Sequence, residues 1–145
     1  MIEGVFVEKL HKIEDNRGKV MHMLRRDSPY FSAFGEIYFS VINGKVVKAW
    51  RKHLRMTQFF AVPVGKVRLV IFDDREKSST KGEVYEIELG EENYRLVKIP
   101  PMLWYGFKGI SSTPSLIANC ADIPHDPQEI VRIDPSDSTI PYIWK

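Results

Sequence analysis

Cations, an aromatic ring and a histidine crowd into one short run of this 145-residue chain: Lys48, Trp50, Arg51, Lys52, His53 and Arg55. They fall where an alternating strand pattern gives way to a loop. Cations and aromatics at such a point suit a barrel mouth that receives an anionic ligand. The same run also fits a solvated edge that discourages pairing with another sheet. His53 has the one side-chain type in the run whose unperturbed pKa suits proton exchange near neutrality. His11, His22 and His125 stand at no ligand-like spacing from it, so neither a metal nor any other cofactor is expected. Cys120, the single cysteine, lies in an apolar strand and reads as a small buried residue. It excludes an intrachain disulfide framework and fits a reducing compartment.

The elements that must position these groups are read from alternation and turn residues. Glu36–Arg75 reads as two hairpins in series. Tyr38–Ile42 and Lys45–Lys52 are joined by Asn43-Gly44, and Gln58–Val62 and Lys66–Phe72 by Pro63-Val64-Gly65, because Asn-Gly between apolar runs is a strong hairpin signal. Upstream, Gly4–Leu10 alternates as a strand. Asp15-Asn16-Arg17-Gly18 is a turn, Lys19–Leu24 resumes as a strand, and Tyr30–Phe34 suits one helical turn. Downstream, Glu83–Leu89 places Tyr85, Ile87 and Leu89 on one face, Gly90–Asn93 turns the chain and Arg95–Ile99 pairs back. Leu103–Phe107 and Ser115–Ala121 are further strands. Pro124–Lys145 reads as an irregular outer strap with a helical turn at Asp126–Ile130 and Trp144 as its anchor. Many short strands separated by Gly, Pro, Asn or Asp argue for an all-β barrel or sandwich with few short helical turns.

Length and composition bound the rest. The chain, residues 1–145, has the size of one domain. With 21 basic and 19 acidic residues, nothing global points to nucleic acid or a lipid surface, so an anion site must be local. No apolar run approaches the length of a membrane span, and no apolar leader follows Met1, so a cytoplasmic protein is expected.

Specific residues carry a resemblance. Asp15-Asn16-Arg17-Gly18, Lys45–His53, Gly65-Lys66-Val67, Glu88-Leu89 with Glu91-Glu92-Asn93, Ile99-Pro100-Pro101 followed by Tyr105-Gly106-Phe107, Asp122 and Asp134-Pro135 resemble, in order and spacing, the cupin family of dTDP-4-dehydrorhamnose 3,5-epimerases. The resemblance implies a double-stranded β-helix, or jelly roll, with a nucleotide-sugar site in the barrel mouth. It also implies a homodimer formed through N-terminal strands. The clear alternation of Gly4–Leu10, with no tight hairpin after it, agrees with a first strand free to pair with another chain.

Family enzymes move a proton beside a 4-keto group with a His–Asp base, a Lys near the enolate oxygen and a Tyr acid. At those positions this chain has Arg51, Asp122, Gln58 and Ala118, and Tyr105 replaces the family's histidine before Gly-Phe. The binding groups that survive are Arg17 and Lys48 for the diphosphate, Ser40 and Tyr38 on the nucleotide-facing strand, and Trp50 beside them. Arg51 is expected to point into the mouth and pair with Asp122, which transfers proton chemistry to His53, Tyr38 or Tyr105. Val46–His53 also resembles the segment of nucleotide-sugar 3,4-ketoisomerases that carries two histidines, with His53 at the second and Tyr38 near its working Tyr. The expected function is therefore a nucleotide-sugar-modifying, epimerase-like cupin of deoxysugar or polysaccharide biosynthesis. A 3,4-ketoisomerase and a non-catalytic nucleotide-sugar or glycan binder are the alternatives.

Overall fold

The computed structural model describes residues 1–145 and contains two five-stranded antiparallel sheets and a separate hairpin. Strands β1 (Phe6–Lys9), β4 (Glu36–Ile42), β6 (Gln58–Val64), β9 (Arg95–Ile99) and β11 (Ser115–Ala121) form the first sheet, in the order β1-β9-β6-β11-β4. The second sheet is built from β5 (Val47–His53), β7 (Lys66–Phe72), β8 (Val84–Gly90), β10 (Trp104–Gly109) and β12 (Ile130–Arg132), in the order β12-β5-β10-β7-β8. The hairpin pairs β2 (Lys12–Asp15) with β3 (Gly18–Met21) and projects from the body with nearly every residue exposed.

The two central hairpins read from the sequence do not form. β4 and β5 lie in different sheets, as do β6 and β7. Asn43-Gly44 and Pro63-Val64-Gly65 are crossovers between layers, as a jelly roll requires of consecutive strands. Around Asn43-Gly44 the positive φ falls on Lys45 (66°), not on Asn43 or Gly44. Gly65 does adopt a positive φ of 83°, and a Cβ there would lie 2.2 Å from Ser115 Oγ, so the backbones pass too closely for any other residue. Arg95–Ile99 likewise pairs with β1 and β6, not with the strand before it. The hairpin that does form in this region is β7–β8, closed across the long Asp73–Glu83 connection.

The face read from alternation in Glu83–Leu89 holds, with Tyr85, Ile87 and Leu89 of β8 packed at the core. Phe60 and Val62 of β6 and Val97 and Ile99 of β9 pack inward against Val67, Leu69 and Ile71 of β7 and Phe107 of β10. This inter-sheet core takes twelve Ile, Leu and Val side chains out of water, the dominant stabilising term in such a sandwich. The outer faces are covered separately. Met21, Met23, Leu24 and Tyr30 lie over Phe59, Leu96 and Cys120 on the first sheet. Ile140, Tyr142 and Trp144 lie over Trp50, Val70 and Trp104 on the second, so Trp144 is an anchor, with its ring 5.0 Å from that of Trp50.

One further expectation is corrected and one holds. Tyr30–Phe34 forms no helical turn. The helical turn expected at Asp126–Ile130 forms as a single 3-10 turn at Pro127–Glu129, capped by Asp126, and delivers β12 to the edge of β5, so the strap is more than an outer cover. Finally, β1 pairs with β9 on one side, Phe6 opposite Lys98, and its other side is an open edge of the first sheet.

Candidate active site

Where the inter-sheet core ends, a cavity of about 430 Å³ opens between the sheets. Strand periodicity explains which side chains reach it. Tyr38 and Ser40 alternate on the inner face of β4, and Arg51 and His53 on the inner face of β5. Lys48 joins Arg51 on that face, although it lies three residues away, because the β5–β10 register slips. Tyr105 pairs with Arg51, but Phe107 pairs with Lys48. One extra residue in β5 is accommodated as a bulge, which re-aims a side chain in this way.

Lys48, Arg51 and Arg132 all line the cavity, and no carboxylate does. Arg132 arrives on β12, directly across from Arg51. Lys48 Nζ donates to the Val41 carbonyl at 2.8 Å and to Ser40 Oγ at 3.3 Å. Tyr38 accepts from Asn119 Nδ2 at 2.6 Å. Phe60, Phe107 and Ile117 supply apolar wall.

Behind the cavity lies a buried hydrogen-bonded chain. His53 is 3% exposed and Glu129 2%. Glu129 Oε1 contacts His53 Nδ1, while Glu129 Oε2 accepts from the amides of Arg55 at 3.0 Å and Met56 at 3.2 Å. A carboxylate is an acceptor, so Nδ1 carries the hydrogen and the lone pair of neutral His53 sits on Nε2. That nitrogen faces Tyr105 Oη at 3.2 Å. Gln58 Nε2 donates to the same phenol at 3.0 Å and lies 3.2 Å from His53 Nε2. Gln58, His53 and Glu129 do not line the cavity; Tyr105 does. The phenol is thus the cavity-facing end of a Tyr–His–Glu relay.

Electrostatics set the resting protonation state of this chain. Burial lowers the pKa of His53, against the opposing pull of Glu129, and the positive charges of Arg51 and Arg132 lower it further. Burial raises Glu129, but His53 and the two amides outweigh it and hold the carboxyl below its ordinary value. Burial pushes Tyr105 up to about 12, with the Arg51 charge and the Gln58 hydrogen bond acting against it. Burial also raises Tyr38, opposed by Asn119, Arg51 and Gln58. The resting chain is therefore neutral phenol, neutral imidazole and carboxylate, and the raised phenol and lowered imidazole keep the proton on Tyr105 until a substrate is present.

Of the residues singled out in the sequence, Tyr38, Ser40, Lys48, Trp50, Arg51 and Tyr105 line the cavity, and His53 and Gln58 lie directly behind Tyr105. Two do not join them. Asp122 accepts from the Thr57 amide at 2.8 Å and ties the end of β11 to the start of β6, while Arg51 has no carboxylate partner. The expected Arg51–Asp122 pair is absent, since the Asp122 carboxylate turns to the Thr57 amide instead. Arg17 sits at the tip of the projecting hairpin, paired with Asp15 at 2.6 Å, outside the cavity of its own chain. Sequence reasoning missed Glu129, Arg132 and Asn119. The Asp126-Pro127 pair signals a turn start, but nothing local says that the carboxylate two residues beyond would be buried.

A sequence model of the dTDP-4-dehydrorhamnose 3,5-epimerase family matches residues 1–145. The chain belongs to that family. It is 36% identical over 143 residues to a probable low-salt glycan biosynthesis epimerase of Haloferax volcanii, covering 97% of this chain and 88% of that one. It is 33% identical over 146 residues to a spore coat polysaccharide biosynthesis protein of Bacillus subtilis, covering 99% and 97%. Among solved structures, a dTDP sugar isomerase from Desulfovibrio desulfuricans superposes with a TM-score of 0.96 at 50% identity, covering 99% of this chain and 92% of that one. A 3′-monoepimerase from Streptomyces bikiniensis, solved in complex with dTDP, shares the fold with a TM-score of 0.88 at 16% identity, covering 99% and 76%. The all-β cupin jelly roll and the epimerase-family membership expected from the sequence both hold.

Proposed function

We propose that this protein is a sugar-nucleotide epimerase or isomerase. It would move a proton at a carbon beside the carbonyl of a dTDP-linked 4-keto-6-deoxyhexose, in the assembly of a deoxysugar for a glycan or polysaccharide. The observation that carries this reading is the Tyr105–His53–Glu129 relay ending in a cavity lined by three cations and no carboxylate. The relay stands in for the His–Asp base whose position Arg51 occupies. As the Tyr105 oxygen takes the proton from the substrate carbon, its own proton passes to His53 Nε2. The C–H electrons move into the carbonyl, leaving an enolate balanced by an imidazolium paired with Glu129. Returning a proton to the opposite face of that carbon inverts it, and Tyr38 is the second phenol available as donor.

One observation favours a second reading, transfer of the carbonyl to the neighbouring carbon. Tyr38 ends on the amide of Asn119, which neither supplies nor takes a proton near neutrality, so a single complete acid–base unit faces the cavity. One unit suffices to shift a carbonyl through an ene-diol, since both protons then travel on one face.

The test is incubation with a dTDP-4-keto-6-deoxyhexose in deuterated water, followed by NMR. The expected result is deuterium at a carbon beside the carbonyl, reduced by about 10²–10⁴-fold in Tyr105→Phe and His53→Ala. Inverted configuration identifies epimerisation, and a carbonyl moved to C3 identifies isomerisation. A native protein that binds the sugar nucleotide but exchanges no proton refutes catalysis and leaves a binding role.

A further inference from the structure

We propose that Arg51 and Arg132 form a two-arginine clamp for the phosphate nearest the sugar, so that the C-terminal strap supplies both the relay's carboxylate and half of the phosphate grip. This rests on the nucleotide-sugar reading above. The two residues are direct cross-strand partners on β5 and β12, and both line the cavity. Like charges placed opposite each other on one sheet face repel, and neither guanidinium has a carboxylate partner in the structure. An anion between them removes the repulsion, and phosphate is the anion whose geometry suits two planar forks at once. The other cation of the cavity, Lys48, is already engaged by Ser40 and the Val41 carbonyl, whereas Arg51 has only the neutral Tyr105 phenol beside it.

Position along the sheet supports the assignment. Arg132, Arg51 and Tyr105 form one row across the adjacent strands β12, β5 and β10, spaced about 4.8 Å apart. A phosphate held midway between the arginines lies about one and a half strand spacings, ~7 Å, from the Tyr105 column. That is roughly the breadth of a single sugar ring, so the clamp would set the ring's far carbons beside the phenol. The same strap places Glu129 under His53, three residues before Arg132. Burial together with the two arginine charges lowers the pKa of His53, and a phosphate that neutralises them would make the relay a stronger base only when ligand is seated.

The test is titration calorimetry of the whole protein with inorganic pyrophosphate, dTDP and thymidine, using the native chain, Arg51→Gln, Arg132→Gln and the double variant. Each single change should weaken pyrophosphate and dTDP binding by about 10–100-fold and leave thymidine binding unchanged. The double variant should lose much less than the product of the two, as for residues sharing one ligand group. Arg132 is exposed, so its replacement does not threaten the fold. Unchanged pyrophosphate affinity in Arg132→Gln overturns the clamp, as does a fully multiplicative loss in the double variant. A native protein that binds pyrophosphate but not dTDP keeps the clamp and overturns the nucleotide reading; one that binds neither overturns both.

Discussion

Replacing Glu129 by Gln probes the relay at its least accessible member. The carboxylate holds three donors: His53 Nδ1 on one oxygen and the amides of Arg55 and Met56 on the other. Glutamine keeps the shape and one acceptor. If that acceptor stays on the two amides, the new NH₂ faces His53 Nδ1, and two donors meet in a buried site. The imidazole escapes by moving its hydrogen to Nε2, which then points a hydrogen at Tyr105 and cannot accept one. A mispaired buried polar group costs ~1–3 kcal/mol. For a chain of this length that corresponds to a fall in Tm of roughly 3–12 °C. The wrong tautomer should cut solvent exchange into the keto sugar by about 10²–10⁴-fold, the range for loss of a general base. Calorimetric melting and deuterium exchange measure the two effects separately, and NMR titration of His53 gives a third readout. Because Glu129 pulls the His53 pKa upward, its removal should lower that pKa further. Exchange retained at the native rate, or a His53 pKa that rises, would refute the relay.

Acid should destabilise the protein in two stages. The folded-state pKa of His53 lies below its ordinary value of 6.5, so folding binds fewer protons and stability declines as pH falls below about 6.5. The folded-state pKa of Glu129 lies below its ordinary 4.5, so its contribution is present above that value and is lost as pH falls through the lower one. Denaturant melts at pH 7.5, 5.5 and 4 should lose stability progressively, and a midpoint unchanged between 7.5 and 5.5 would contradict the neutral buried imidazole. Sedimentation should give twice the 16.8 kDa of one chain. The edge strand β4 turns Ile37, Phe39 and Val41 outward at 49%, 61% and 53% exposure, an apolar stripe beside an open backbone edge that a second copy of this chain would cover. A mass of one chain at micromolar concentration would rule that out.

What the sequence determined by itself was local. Side-chain direction alternates with period two along a strand, so Tyr85, Ile87 and Leu89 could be put on one face before any partner strand was known, and all three do pack at the core. The cationic run around Trp50 was legible from residue type alone, and the ordered motifs from Asp15 to Asp134 were enough for the fold family. Pairing was not legible. Asn43-Gly44 and Gly65 carry strong turn chemistry, but whether a tight turn closes a hairpin or passes the chain to the opposite sheet depends on where the next strand buries its apolar face, a long-range choice. The site divided along the same line. Arg51 and Asp122 looked like partners because their motifs suggested it, whereas the Thr57 amide, reached only once β6 and β11 lie side by side, claims the carboxylate first. Glu129 and Arg132 belong to a polar, proline-rich tail with no signal of function. Only packing of that tail along the edge of β5 takes Glu129 out of water beneath His53 and sets Arg132 opposite Arg51, because burial and proximity are properties of the assembled sheet and not of any segment within it.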